Sequence, residues 1–300
     1  MSKTAKWLVG IFSFIIIFFL IVVFSFMFIL SESDTEDVST GTAGTIAVVE
    51  LNEPIVSSER VVQQIKRFRE NISVKAIVLR VESPGGGVSA SQEIYEEVKK
   101  TRNSGKPIVV SMGSVAASGG YYVAMGASRI VANPGSITGS IGVISQFMHV
   151  NGLLDKIGVT STTIKSGKLK DAGSPFRVPN EEDKRYFQEM IDDIYDQFVS
   201  TVAEERKLEK AVVKRYADGR VFTGRKAYEL KLIDTLGTYQ DAIKIAAQMA
   251  EIYGTPRVIK ERKKERLSDL IFGEMRSGIT QIKNEMLYQP VVQYLYNQPQ

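Results

Sequence analysis

Ser118 is the residue of this chain best placed to act as a nucleophile. It lies in GSVAASGG at residues 113–120, among small residues and two glycines, directly before an apolar segment that predicts a short helix. A serine in such a turn can expose its hydroxyl while the following amides face the oxyanion that forms on an attacked carbonyl. The pattern suits acyl transfer. The alternative is a serine that only caps the helix, and the GxSxG motif is not matched.

Glycine-rich turns at residues 83–87, 113–120 and 135–142 each follow a segment typical of a buried strand. In an open α/β sheet, sites form beyond the carboxyl ends of the strands. The amide of Gly85 could therefore supply a second oxyanion donor from a different strand end. A nucleotide site is not predicted, because GxxxxGK[ST] is absent and GxGxxG does not follow the first strand.

A serine nucleophile needs a base, and the composition narrows the candidates. The chain has no cysteine and one histidine, His149, which excludes a thiol nucleophile and a zinc site made of several histidines of one chain. His149 lies in an apolar, strand-like segment, which favours a partly buried structural role. A lysine is the alternative, although an ordinary lysine, with a pKa of about 10.4, must be desolvated to act as a base. Lys165, Lys168 and Lys170 form a cluster, and the local sequence does not choose among them.

The composition is that of a globular protein. The 300 residues are 44 % hydrophobic and 24 % charged, enough for one large domain or two small ones. The net charge of +4 is too small to indicate a nucleic acid partner. Short apolar runs alternate with amphipathic segments, which predicts a parallel sheet with crossover helices. The expected strands are 45–51, 75–81, 107–112, 129–132 and 142–145, and the expected helices are 58–71, 88–103, 121–125, 181–207, 225–230 and 240–252.

The first residues predict a membrane anchor. Residues 7–30 carry no charged side chain and, at about 1.5 Å per residue, are long enough to span a hydrocarbon core of about 30 Å. Lysines lie in residues 1–6 and acidic residues follow the run, which predicts a cytoplasmic N-terminus and an extracytoplasmic domain. A cleaved signal peptide is the alternative, but the run is too long for one and lacks a good cleavage site. The absence of cysteine suits a bacterial cell surface.

The remaining chain divides by composition into three parts. Residues 31–44 are polar and acidic and predict a flexible tether from the membrane. Residues 45–255 hold the alternating strands and helices and form the expected catalytic domain. Residues 256–300 are expected to be a basic, flexible tail, whose end at 286–296 could reach an active site and be cut there or block it.

Several segments resemble the signal peptide peptidase A family in its half-length bacterial form. They are SPGGG at 83–87, MGSVAASGGYYVA at 112–124, ANPGSITGSIGVI at 132–144, KSGKLKDAGSPFR at 165–177 and GRVFTGRKAYELKLID at 219–234. The resemblance implies a Clp protease/crotonase-like fold and a membrane-anchored peptidase with a Ser–Lys dyad. It also implies that no metal or cofactor is required.

The resemblance assigns roles to five residues. Ser118 matches the nucleophile and Lys170 the general base. Gly119 and Gly85 match the positions whose amides form the oxyanion hole, and Ser140 matches a serine that hydrogen-bonds the lysine. One position departs from the family.

That position is Glu82, where a neutral residue, commonly Asn, is expected before SPGG. The departure places a possible charge beside the oxyanion loop.

The resemblance also implies an assembly and a substrate. Half-length members are similar in forming a ring, expected to be an octamer, in which the serine of one subunit meets the lysine of its neighbour. The implied substrates are remnant signal peptides in the lipid bilayer, which are apolar and extended and would bind beside a strand edge. Two alternatives remain. One is a crotonase-like enzyme that acts on acyl-CoA, and the other is a membrane scaffold without catalytic activity.

Overall fold

The computed structural model describes residues 7, 12, 14–21, 35–261 and 293–295. Two compact units can be distinguished, residues 1–36 with 261–264 and residues 37–260 with 265–300. In the first unit, residues 14–21 are helical (α1). Across the described ranges, none of the helices combines the length and the apolar character needed to cross a membrane. Most of the predicted anchor at 7–30 and all of residues 1–6 lie outside those ranges.

The second unit is built on a mainly parallel sheet. Its strand order is β1-β10-β2-β3-β5-β6-β9, with β7 beside the end of β5 and β8 antiparallel to β7. A separate antiparallel pair joins β11 to β4. The strands are β1 (Thr35–Thr40), β2 (Thr45–Asn52), β3 (Val74–Ser83), β4 (Gly85–Gly87), β5 (Ile108–Ala117), β6 (Arg129–Ala132), β7 (Ile137–Gly139), β8 (Val221–Thr223), β9 (Thr235–Leu236), β10 (Arg257–Glu261) and β11 (Gln293–Leu295).

Helices cover both faces of this sheet. Residues 76–79 of β3 are buried throughout, as expected for a parallel strand covered on both sides. One core cluster packs under α2, α3, α4 and α6, and a second lies under α9 on the opposite face. The helices are α2 (Glu59–Glu70), α3 (Val88–Asn103), α4 (Gly119–Ala124), α5 (Asn151–Lys156), α6 (Glu181–Arg206), α7 (Lys210–Lys214), α8 (Gly224–Glu229) and α9 (Tyr239–Met249), with a 3₁₀ turn at Lys168–Asp171.

The α/β class and the mainly parallel sheet are confirmed, and three sequence expectations need correction. The short strand expected at 142–145 lies instead at Ile137–Gly139, where it extends the ladder of β5. The expected tether at 31–44 contains β1, and its Asp37 pairs with Arg257 at 2.8 Å. The expected tail begins too early, because β10 pairs in parallel with β2.

Candidate active site

Ser118 lies at a strained turn between β5 and α4. Its backbone has φ 53° and ψ −116°, a region that non-glycine residues rarely adopt. Two backbone bonds hold the turn, because the Ser118 amide donates to the Gly139 carbonyl and its carbonyl accepts from the Tyr122 amide, both at 2.8 Å. Strain that the surroundings enforce at one polar residue is typical of functional sites.

The hydroxyl of Ser118 is buried and unpartnered within the described residues. The residue is 1 % exposed, and its Oγ has no hydrogen-bond partner among those residues. A buried hydroxyl without a partner loses free energy relative to one in water, so such groups usually have a functional explanation. An incoming group that bonds to Oγ would remove this cost.

Gly85 and Gly119 meet beside this serine. A Cβ atom added to Gly85 would lie 2.6 Å from the Gly119 nitrogen, so β4 and the start of α4 approach closer than any other residue type at position 85 allows. Gly85 has φ 104°, which also favours glycine. In this structure its amide donates to Ser83 Oγ at 3.2 Å, while Ser83 Oγ donates to the Glu53 carbonyl at 2.6 Å. The predicted glycines are therefore brought together with Ser118, and Ser83 is the anchor that sequence reasoning missed.

Ser140 joins the same region through the backbone. It follows Gly139, whose carbonyl accepts from the Ser118 amide, and its own amide donates to the Arg220 carbonyl at 2.9 Å. Its φ of 51° is again in the left-handed region. Ser140 also lines a cavity of about 550 Å³ with Ile191 and Tyr195.

Lys170 is not bonded to Ser118 within the single chain. It is exposed on the 3₁₀ turn Lys168–Asp171, and no hydrogen bond joins it to Ser118 Oγ. Its neighbour Asp171 is held firmly, because Arg177 donates to both carboxylate oxygens at 2.8 and 3.0 Å and Lys165 donates at 2.6 Å.

The ion pairs around Asp171 fix the segment that carries Lys170. Hydrogen bonds from Arg177 and then Lys165 hold the pKa of Asp171 well below its usual range, so the carboxylate is charged at neutral pH. Arg177 also binds Asp183, whose side chain belongs to the capping box at the start of α6. Lys165 is thereby engaged as an ion-pair partner.

His149 does not have the surroundings that its sequence context favoured. It is exposed rather than partly buried, and it makes no hydrogen bond to Ser118 Oγ. The apolar residues around His149 predicted burial, but its neighbour Met148 is itself 79 % exposed. An apolar segment therefore does not indicate burial here.

A strand formed by Gln293–Leu295 lies against the glycine-rich strand β4. β11 pairs antiparallel with β4, in the register Gln293 to Gly87 and Leu295 to Gly85. On the other side of β4, the amide of Ile55 donates to the Gly85 carbonyl at 2.7 Å. The Tyr294 carbonyl oxygen lies directly against the Gly85 Cα, closer than a side chain at that position would permit.

The side chain of Tyr294 fills an aromatic pocket next to β4. It is fully buried, its ring stacks on Tyr122 at 5.2 Å and contacts Phe198 at 4.6 Å, and its hydroxyl donates to the Ile194 carbonyl at 3.3 Å. The sequence indicated only that the tail could reach an active site. It gave no sign of which residue would bind there, or that α6 would line the pocket.

Removing β11 should make the loop at β4 accessible to peptides. For the peptidase activity that the sequence resemblance implies, a chain that ends at residue 292 is expected to show a KM about tenfold lower than the parent, because a site that is mostly occupied binds substrate only in its open fraction. Steady-state kinetics on a fluorogenic peptide would measure this.

The matched control is a chain that ends at residue 296, which keeps β11. This chain should retain the parental KM. A variant whose change lies outside the aromatic pocket of Tyr294 should retain it as well. An unaltered KM in the chain ending at 292 would show that β11 does not compete with substrate.

Comparison with known proteins identifies related sequences. A protein of Synechocystis sp. described as a protease is 46 % identical over 213 residues, which cover 70 % of this chain and 76 % of that protein. A protein of Enterococcus faecium described as a signal peptide peptidase SppA is 43 % identical, over 60 % of this chain and 52 % of that protein. The chain thus spans about three quarters of the first relative and about half of the second. A solved structure of a ClpP1 variant from Listeria monocytogenes matches with 15 % identity and a TM-score of 0.46, over 65 % of this chain and 94 % of that one.

Two family models match the chain. The Clp protease model matches residues 44–138, which contain β2 to β6, the turn at Ser118 and the first two residues of β7. This agrees with a Clp protease/crotonase-like α/β fold. The Peptidase family S49 model matches residues 100–253, just over half of the chain, including the turn at Ser118 and the segment around Lys170. The chain therefore belongs to peptidase family S49 and is a serine peptidase.

Proposed function

We propose that this protein is a membrane-anchored serine endopeptidase in which Ser118 and Lys170 form a catalytic dyad. The observation that carries the proposal is the state of Ser118. Its hydroxyl is buried, has no partner in the described residues and lies at a strained strand-to-helix turn beside Gly85 and Gly119. The uncharged run at residues 7–30 supports the anchor.

The chemistry requires a nucleophile, a base and an oxyanion site. Neutral Lys170 accepts the proton of Ser118 as Oγ bonds to the peptide carbonyl carbon. The amides of Gly119 and Gly85 stabilise the oxyanion, for which the Gly85 amide exchanges its bond to Ser83. The protonated lysine then gives its proton to the leaving amine, and water hydrolyses the acyl-enzyme with Lys170 again as base. Ser140 orients the lysine.

A second copy of the chain supplies the lysine. In the single chain Lys170 is exposed and Ser118 Oγ is without a partner in the described part, so the dyad is incomplete. The segment around Lys170 also exposes large apolar side chains that a neighbouring subunit would cover. They include Met148, Leu153, Ile157, Ile164 and Phe176. A lysine base in general requires surroundings that exclude water, which a covering subunit would supply. An octameric ring is the assembly that this arrangement suits.

The substrates are apolar, extended peptides, with remnant signal peptides as the main class. β4 offers an edge to which a peptide can add as a strand, and β11 already binds there through its backbone. The pocket lined by Tyr122 and Phe198 accepts a large side chain of such a peptide.

Labelling with a fluorophosphonate and cleavage of a synthetic signal peptide test this function. The full-length protein in detergent should react with the probe and cleave the peptide, and Ser118→Ala should do neither. His149→Ala is the matched control and should retain both. The rate of the parent should rise with pH and show no histidine-type limb at about pH 6.5.

The same assay separates the alternatives. Turnover of an acyl-CoA thioester without peptide cleavage would favour a crotonase-like enzyme. A folded, assembled protein that reacts with neither the probe nor the peptide would favour the scaffold.

A further inference from the structure

Strand β5 contains an irregular segment directly before the turn at Ser118. In its pairing with β3, Val81 faces Met112 and Ser83 faces Ala116. One residue of β3, Glu82, therefore spans three residues of β5, which are Gly113 to Val115. Beyond this bulge, β5 leaves β6 and pairs with β7, whose Gly139 carbonyl accepts from the Ser118 amide. The position of the nucleophile thus depends on how the bulge is held.

The carboxylate of Glu82 binds the bulge at two points. Its Oε2 accepts from the Ser114 amide at 2.8 Å and its Oε1 accepts from the Val115 amide at 2.9 Å. Both amides belong to the segment in which the register between β3 and β5 is broken. The carboxylate oxygens therefore accept the hydrogen bonds that carbonyl oxygens of a neighbouring strand accept in a regular ladder. Hydrogen bonds to a charged acceptor are stronger than neutral ones.

The neighbouring residues fit this arrangement. Gly113 leaves room for the carboxylate, because a Cβ atom there would overlap Glu82 Oε2. Arg80 lies 3.9 Å from Oε2 and donates to the Ser111 hydroxyl at 2.9 Å and the Met112 carbonyl at 3.2 Å. The charge of Glu82 is therefore turned toward β5 and Arg80. The sequence had placed it only somewhere beside the oxyanion loop.

We propose that Glu82 is a positioning residue for the nucleophile, acting through the β5 bulge. Its carboxylate sets the course of Gly113 to Val115 and hence the position of Ser118 relative to Gly85 and Gly119. The proposal rests on the proposed role of Ser118. A neutral residue at this position can satisfy at most part of this arrangement, because a carboxamide offers one acceptor oxygen and its nitrogen would face an amide donor.

The test compares Glu82→Ala and Glu82→Gln in the full-length protein. Misplacement of a reacting group by about 1 Å can reduce a rate about 100-fold, so we expect kcat to fall about 30-fold in Glu82→Ala and about threefold in Glu82→Gln. KM should stay within about twofold, because β4 is held separately by Ile55. The rate of fluorophosphonate labelling should fall in the same order. Glu50→Ala, on the adjacent strand β2, is the matched control and should change neither quantity.

The outcomes separate this proposal from the proposed function. If Ser118→Ala removes activity but Glu82→Ala keeps kcat and the labelling rate within twofold of the parent, Glu82 does not position the nucleophile. The same conclusion follows if Glu82→Ala changes KM alone. If Ser118→Ala remains active, the proposed function fails first. Where Glu82→Ala does not fold, Glu82→Gln decides, since a kcat equal to that of the parent would overturn the proposal.

Discussion

Mixed assemblies of the Ser118→Ala and Lys170→Ala proteins should regain about a quarter of the parental activity, although each variant alone should be at least about 1,000-fold less active. If a serine from one subunit meets a lysine from its neighbour, a site is intact only in one arrangement. Its serine must come from a Lys170→Ala subunit and its lysine from a Ser118→Ala subunit. Random mixing of equal amounts gives a probability of one half for each, hence about one quarter of the sites in a closed ring. A dyad within one chain gives none.

Co-expression of the two variants, followed by peptide cleavage assays on the unfractionated assemblies, would measure this. Lys168→Ala is the matched control for Lys170→Ala, because it lies on the same 3₁₀ turn and is exposed as well. It should keep activity within about twofold. Full inactivity of the mixed assemblies would exclude shared sites, and an active Lys170→Ala protein would exclude Lys170 as the base.

The sheet was predictable from the sequence because its strands are short β-branched runs buried on both faces. The first helices and strands match their expected ranges within a few residues, as in β2 and α3. β10 was missed since Lys260 and Glu261 make it look like a solvated segment, although Val258 and Ile259 are buried beside β2. Local composition cannot show that a partner strand lies about 200 residues earlier in the chain.

Part of the candidate site was also predictable from the local sequence. Ser118, Gly85 and Gly119 are identified by small residues at strand ends, which is a local signal. The contact between Gly85 and Tyr294 joins residues that lie far apart in the sequence, so no local pattern predicts it. The function of Glu82 was also hidden, because its partners become visible only once the register between β3 and β5 is known.

Gly85→Ala should reduce peptide cleavage by about 100-fold or more, the size of the loss when an oxyanion-hole donor is removed. The backbone at Gly85 has φ 104°, and an added methyl group would lie 2.6 Å from the Gly119 nitrogen. Either the loop or the start of α4 must move, and each movement displaces one of the two proposed donors from the oxyanion. The reduction should fall on kcat, with Ser118 itself unchanged.

Gly135→Ala is the matched control, since an added Cβ there meets nothing within 4 Å. It should keep the parental rate, and thermal unfolding by circular dichroism would show whether both variants fold. The methyl group added in Gly85→Ala also meets the Tyr294 carbonyl, so this variant changes the position of β11 as well. Gly85→Ala made in the chain that ends at residue 292 lacks the contact with Tyr294 and keeps the contact with Gly119. Continued inactivity of this protein would assign the loss to the oxyanion site, whereas recovery to the parental rate would exclude Gly85 from it.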